Sequence, residues 1–296
     1  SIKNLFKLFS KRTSKQSFVP NDLLKIPRKY MKIDLLKILM GLSVIVFIIL
    51  IIMPFVALLL NVFTIESLNN IDYQEILKPL ILSIIIAIIA TFIVLIIGIP
   101  LAYLLTYYEF PFKNVLDVMI NIPLVLSPAV SGHLLLLTFG RHGFIGYPLD
   151  SLFGVQIMFT TFAIVIAQVF VAMPFMVRSI KVSFQEVPKS MIDVSKTLGA
   201  TDQEILRDVI IPLSKNGIMT GITLSFARAM GEFGATVMVS GLLYTLPIAI
   251  FRNIMIGDRD VANVLSFIVI TISFTILILL NKIGNKKHTS ANTKIN

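Results

Sequence analysis

The sequence predicts an all-α polytopic membrane protein: six transmembrane helices with a helical cytosolic loop between the fourth and fifth. Three observations carry this. Hydrophobic residues make up 56% of the 296-residue chain and mean hydropathy is +0.90. Charged residues are only 14%, roughly half of what a soluble domain carries. The apolar residues fall into long runs near the ~20 residues a helix needs to cross a bilayer. There are too many such runs for one soluble core. No stretch shows the apolar–polar alternation of an outer-membrane barrel strand.

Taken in order, the chain opens with a basic tail, residues 1–34, rich in Lys and Arg from Lys3 to Lys32. It reads as a disordered cytosolic tail. The run up to Phe9 also suits an amphipathic segment lying on anionic lipid. No apolar core with a cleavage site follows at secretory-signal length. Met31, close to the first span, is a candidate alternative start. The transmembrane region runs from 35 to 283, and a second basic cytosolic tail occupies 284–296.

Span one covers 35–63, with a kink expected at Pro54. Residues 64–76 are polar and slightly acidic, as an outer loop should be. Span two covers 77–107 and is long enough to tilt or protrude. Gly98 and Pro100 are expected to interrupt it near its inner end. Span three covers 114–140 and is broken by Pro123, Pro128 and Gly132. A Gly-rich outer loop follows. Span four covers 156–181 and ends with Arg178 and Lys181 on the inside. Span five covers 213–240. The apolar stretch TLPIAIF is too short to cross, and span six covers 261–283.

Six spans put both termini on one side. The net charge of +10 is concentrated in the two tails, and basic flanks mark the cytosolic side of a plasma-membrane protein. That distribution points to lipid rather than nucleic acid as the partner of the charge.

The loop at 185–212 has the punctuation of two small helices. Pro188 suits a first helical position. Met191, Val194 and Leu198 recur at helical spacing, and Gly199 supplies the permissive backbone that ends a helix. Thr201 and Glu204 form a capping box. Ile205, Leu206 and Val209 give the second helix an apolar side, and Pro212 limits it. Apolar side chains facing out of the membrane require a partner to cover them.

This loop resembles the signature loop of importer-type ABC transporter permeases. That pattern is Glu-Ala-Ala, three residues, Gly, nine residues, Ile, any residue, Leu-Pro. Here Asp193-Val194-Ser195, Gly199, Val209 and Ile211-Pro212 stand at those spacings, with Leu198 and Ala200 flanking the glycine. The resemblance implies the type I importer fold, with this loop docking into a groove on a separate ATPase.

Other chemistry is sparse. No P-loop or dinucleotide fingerprint is present, so the chain reads as a transport subunit and not an enzyme. It is expected to bind no cofactor or metal itself. ATP and Mg²⁺ belong to the partner chain. The histidines His133, His142 and His288 have no metal-ligand spacing, and zero cysteines exclude thiolate sites.

Ionisable residues within spans are costly unless paired or wet. Arg228 and Glu232 are expected four residues apart on one face of span five. The pair reads either as mutually neutralising structure or as the lining of a hydrated path, and the two are compatible. Asp117 is placed near the inner end of span three, within reach of water. Ser127, Ser131 and Gly132 in span three, with Gly234 and Thr236 in span five, are the remaining candidates for a translocation path. Their small size also suits close helix packing.

The stretches around residues 121–146 and SFARAMGEFGATVMVSG are similar to the molybdate permease subfamily. Sulfate and tungstate permeases are similar in turn. The resemblance implies a homodimer with two ATPase subunits and an extracytoplasmic oxyanion-binding protein. Sulfate or thiosulfate import is the alternative reading. A stand-alone secondary transporter or channel, which would need a coupling carboxylate in the membrane, is the alternative of another class. A scaffold without transport activity ranks below both.

Overall fold

A computed structural model describes residues 31–63 and 72–285. The tail reading for 1–30, the outer loop at 64–71 and the basic tail from 286 lie outside the described residues. The described residues are mostly helical, with no strand among them.

The chain divides near Ala57 into two units. The first holds most of an apolar helix formed by α1 (Met31–Phe47), a π-helical turn at Ile48–Ile52, and α2 (Met53–Phe63), which crosses the division. The π turn stands where the sequence predicts a kink. The Met53 amide donates to the Ile48 carbonyl, five residues back. Pro54 has no amide to continue the ordinary ladder, and the widened turn lets the helix pass it.

The second unit is built around α7 (Thr161–Gln185), whose buried face runs from Ala163 through Val171 and Met176 to Phe184. On one side lies α3 (Tyr73–Tyr107), capped by Asp72, whose carboxylate accepts from the Gln74 amide at 2.9 Å. On another lies α11 (Lys215–Met230). Glycines set these crossings. A Cβ on Gly98 of α3 would stand 2.9 Å from Met176 Cγ, and one on Gly221 of α11 would stand 3.0 Å from Met176 Sδ. A Cβ on Gly217 would meet Ser183 Cβ at 2.2 Å.

Several boundaries differ from the sequence reading. Helix α3 runs unbroken through Gly98 and Pro100. Packing on α7 holds it together, and Gly98 is a contact point, not a break. Span three is two helices, α4 (Lys113–Val125) and α5 (Pro128–Phe139), bent by 117°. The residue before a proline is driven out of the helical region. Ser127 is extended, and its hydroxyl caps α5 by accepting from the Val130 amide at 3.3 Å. The Gly-rich outer loop contains α6 (Gly146–Phe153), held by an Arg141–Asp150 ion pair at 3.0 Å.

Span five also departs from expectation. Helix α11 stops at Met230, and a separate short helix, α12 (Gly234–Val239), follows. Helix α12 packs on α5, where a Cβ on Gly234 would meet Pro128 Cβ at 2.3 Å. The TLPIAIF stretch opens α13 (Leu246–Ile256), a short apolar helix, and α14 (Arg259–Asn285) closes the described chain. Among the described residues four helices are long and apolar enough to cross a membrane, or up to six if each bent pair counts as one span. One of those pairs joins the second half of the loop, Asp202–Leu213, to α11, bent by 76°.

The α7–α11 crossing generates a prediction. Gly217→Ala forces Ser183 aside and is expected to lower stability by about 1–3 kcal/mol, the usual range for overpacking. Adding Ser183→Gly should restore most of the loss. Thermal unfolding of the purified protein in detergent checks both steps.

Candidate functional site

The loop between α7 and α11 is rooted and exposed at once. Helix α8 (Lys189–Thr197) buries Ile192, and Ile205 and Ile210 are buried after it. These three join the inner core of α3 and α7, beside Leu105, Ile180 and Phe184. The opposite side presents Met191, Val194 and Leu198 to solvent, with Leu198 82% exposed. Ser190, Met191, Val194, Ser195 and Val209 line a depression of about 370 Å³ on that surface.

The break between the helices is a Schellman motif. The Gly199 amide donates to the Lys196 carbonyl and the Ala200 amide to the Ser195 carbonyl, each at 3.0 Å. Gly199 has φ +85 with open space around it, so the backbone conformation and not crowding selects glycine. Pro188 is the N-cap, one position earlier than the sequence reading placed it. Its ψ of 125 keeps it outside the helix.

The second helix begins at α9 (Asp202–Ile205). Its capping box is complete: Glu204 accepts from the Thr201 amide at 2.7 Å, and Thr201 accepts from the Glu204 amide at 3.4 Å. The Thr201 amide and hydroxyl hold the Glu204 carboxyl below its usual pKa. Pro212 does not end this helix. A π turn at Leu206–Ile210 precedes it, as at Pro54, and the chain passes through α10 (Ile211–Leu213) before turning at Ser214.

Two tyrosines that nothing in the spacing marks tie the end of α3 to α7 and to the loop. The Tyr108 hydroxyl donates to Asp202 Oδ2, and the Tyr107 hydroxyl donates to the Phe184 carbonyl, both at 2.7 Å. Asp193 and Leu198 remain exposed, with Pro212.

The candidates for a path form a connected group. Ser127, Ser131 and Gly132 lie on or cap α5. A Cβ on Gly132 would lie 2.7 Å from Met238 Cβ and 3.0 Å from the Ala235 carbonyl oxygen. Gly132 and Gly234 therefore set the α5–α12 contact. Thr236 is fully buried, and its hydroxyl has no partner among the described residues.

Arg228 and Glu232 do pair, Nη1 to Oε2 at 2.5 Å, but not along one continuous helix. Glu232 lies beyond the end of α11, and its other oxygen accepts from the Ala235 amide of α12 at 2.7 Å. The side chain of Glu232 is 1% exposed and that of Arg228 is 29% exposed. Asp117 is paired too, with Lys181 at 2.8 Å. The spacing Gly217-x-x-x-Gly221 was the available signal for the α7–α11 crossing.

Residues 95–285 match the family model described as "Binding-protein-dependent transport system inner membrane component". The putative molybdenum transport system permease protein YvgM of Bacillus subtilis is 33% identical over 72% of this chain and 96% of its own length. The probable sulfate transport system permease protein cysT of Chlorella vulgaris is 36% identical over 62% and 70%. A crystal structure of a bacterial ABC transporter that imports alginate matches with a TM-score of 0.69 at 12% identity, over 88% and 98%. That likeness is one of fold. The chain belongs to this family and is the membrane-spanning permease subunit of an ABC importer. Hydrolysis of ATP in such importers falls to separate ATPase subunits.

The capping box gives a pH prediction. A depressed carboxyl pKa means that its contribution to helix stability is full above the unfolded glutamate value, about 4.3. The contribution is lost as pH falls through the lower folded value. Protection factors of the amides over 202–205, corrected for the pH dependence of intrinsic exchange, should therefore fall on acidification. Thr201→Ala should show faster exchange already at neutral pH, consistent with a loss of about 1 kcal/mol for a missing cap.

Proposed function

We propose that two copies of this chain form the pore of an ATP-driven importer for a tetrahedral oxyanion, and that the oxyanion is molybdate. Two ATPase subunits bind at the loop of α8 and α9, and an extracytoplasmic binding protein delivers substrate. Both termini and the loop then face the cytosol of a plasma-membrane protein. The observation that carries this reading is the loop itself: Met191, Val194 and Leu198 are exposed on one side while Ile192, Ile205 and Ile210 root the other. An apolar surface on a rigidly rooted loop is suited to receive motion from a partner and hand it to α3 and α7.

The secondary-transporter reading lacks support. Among the described residues Glu232 is the one buried carboxylate, and it is already paired. For the substrate, the Gly-Glu-Phe-Gly-Ala-Thr run from Gly231 and the YvgM relative favour molybdate. The cysT relative keeps sulfate as the second reading. Tungstate, with the charge and shape of molybdate, is expected to share the path. Calorimetry of the cognate binding protein decides among them. Tight binding of molybdate and tungstate with weak sulfate is expected, and the reverse order would transfer the assignment to sulfate.

Docking is tested at Gly199. Gly199→Leu puts a β-carbon at φ +85, a strain of about 1 kcal/mol or more. The variant should co-purify less ATPase than wild type, and an unchanged yield would contradict the docking role.

The Arg228–Glu232 pair separates path from scaffold. Glu232→Gln alone leaves Arg228 without its counter-charge and should reduce expression. The loss should fall short of the roughly 3–5 kcal/mol of a fully buried pair, since Arg228 is 29% exposed. Arg228→Met combined with Glu232→Gln should recover expression but not uptake. Recovery of both would assign the pair to structure alone.

A further inference from the structure

We infer that the cavity between the cytosolic ends of α7 and α11 holds the oxyanion before its release, with Arg178 as the principal ligand. The inference rests on the oxyanion reading above. The cavity has a volume of about 460 Å³, and its polar lining is Arg178, Ser179, Ser183 and Glu186 from the α7 side with Asn216 and Thr220 of α11. At about 30 Å³ per water, it has room for a tetrahedral anion that keeps part of its hydration.

Counting donors narrows the site. The Thr220 hydroxyl donates to the Asn216 carbonyl at 2.9 Å, and the Ser183 hydroxyl to the Ser214 carbonyl at 3.4 Å. Both protons are committed. The Arg178 guanidinium, the Ser179 hydroxyl and the Asn216 amide have no partner among the described residues. Three uncommitted donors of different reach thus converge on one cavity. Its wall is the close α7–α11 crossing at Gly217 and Ser183.

Arg178 is the unusual member. Three residues on, Lys181 is neutralised by Asp117 at 2.8 Å, while Arg178 has no acidic partner. Arg178 is exposed, so its guanidinium is free to meet an anion that enters the cavity. Its planar fork matches two oxygens of a tetrahedral oxyanion. Glu186 lies eight residues further along, ~12 Å at helical rise, too far to pair with Arg178. Its charge repels an anion at the cytosolic lip, so the site holds weakly and does not trap.

The test is equilibrium binding of radiolabelled molybdate to the detergent-purified permease–ATPase complex. Saturable binding to wild type is expected, weakening as salt is raised. Arg178→Gln should weaken it about tenfold or more, the typical loss of a charge-assisted hydrogen bond. The double variant Ser179→Ala with Asn216→Ala should weaken it several-fold (on the order of one or two neutral hydrogen bonds), which keeps the test decisive if Arg178→Gln does not assemble. No saturable binding to wild type, or wild-type affinity in either variant, overturns the site. Selective loss of ATPase from an otherwise folded Arg178→Gln permease also overturns it, by making Arg178 a docking residue. Binding-protein-dependent uptake by the wild-type system in proteoliposomes tests the parent reading separately. Uptake with unchanged variant binding removes only this site, and absence of uptake for molybdate, tungstate and sulfate removes the oxyanion reading.

Discussion

The close approach of α3 and α11 to Met176 of α7 is the constraint on which the second unit depends. Gly98 and Gly221 contact the same side chain from two helices. Lipid offers no hydrophobic drive for one helix to prefer another, so membrane helices associate through tight packing and small residues. Methionine, unbranched and polarisable, fills an irregular gap between two glycine surfaces well. One and two turns further along α7, Ile180 and Phe184 continue the cluster into Ile192, Ile205 and Ile210. The loop is therefore an extension of the helix core, packed continuously onto α3 and α7. Tyr107 and Tyr108 reinforce this by bonding the end of α3 to α7 and α9.

Local signals were legible where the backbone chemistry is local. Gly199, the Thr201–Glu204 box and the outward set of Met191, Val194 and Leu198 follow from propensity and period alone. Helix breaks were harder to read. Pro100 breaks nothing because packing on α7 supports the helix around it, and Pro54 and Pro212 are each passed by a π turn. Pro128 does break the chain, because Ser127 is present to cap a new helix. Proline marks a place where the ladder must change, and the neighbours decide how. The partners of Asp117, Tyr107 and Tyr108 are set by tertiary contacts, and no spacing along the chain encodes them.

The two breaks within the membrane region are coupled. One falls at Leu126–Ser127 and the other at Gly231–Phe233, and the helices that start after them, α5 and α12, pack on each other through Gly132 and Gly234. Irregular backbone at membrane depth is tolerated only where it is buried in protein or lines water. Each break is closed by a side chain of its own: the Ser127 hydroxyl caps α5, and the Glu232 carboxylate accepts from the first turn of α12. This gives Glu232 an obligation independent of Arg228. With one oxygen held by the Ala235 amide and 1% of its side chain exposed, it is committed to structure. Arg228 holds the other oxygen, and its side chain is 29% exposed. Of the two charges, only the arginine has donors left to offer. A carboxylate that fixes the break, with an arginine oriented by it, suits the anion path proposed above, because the residue that would repel an anion is the one turned inward.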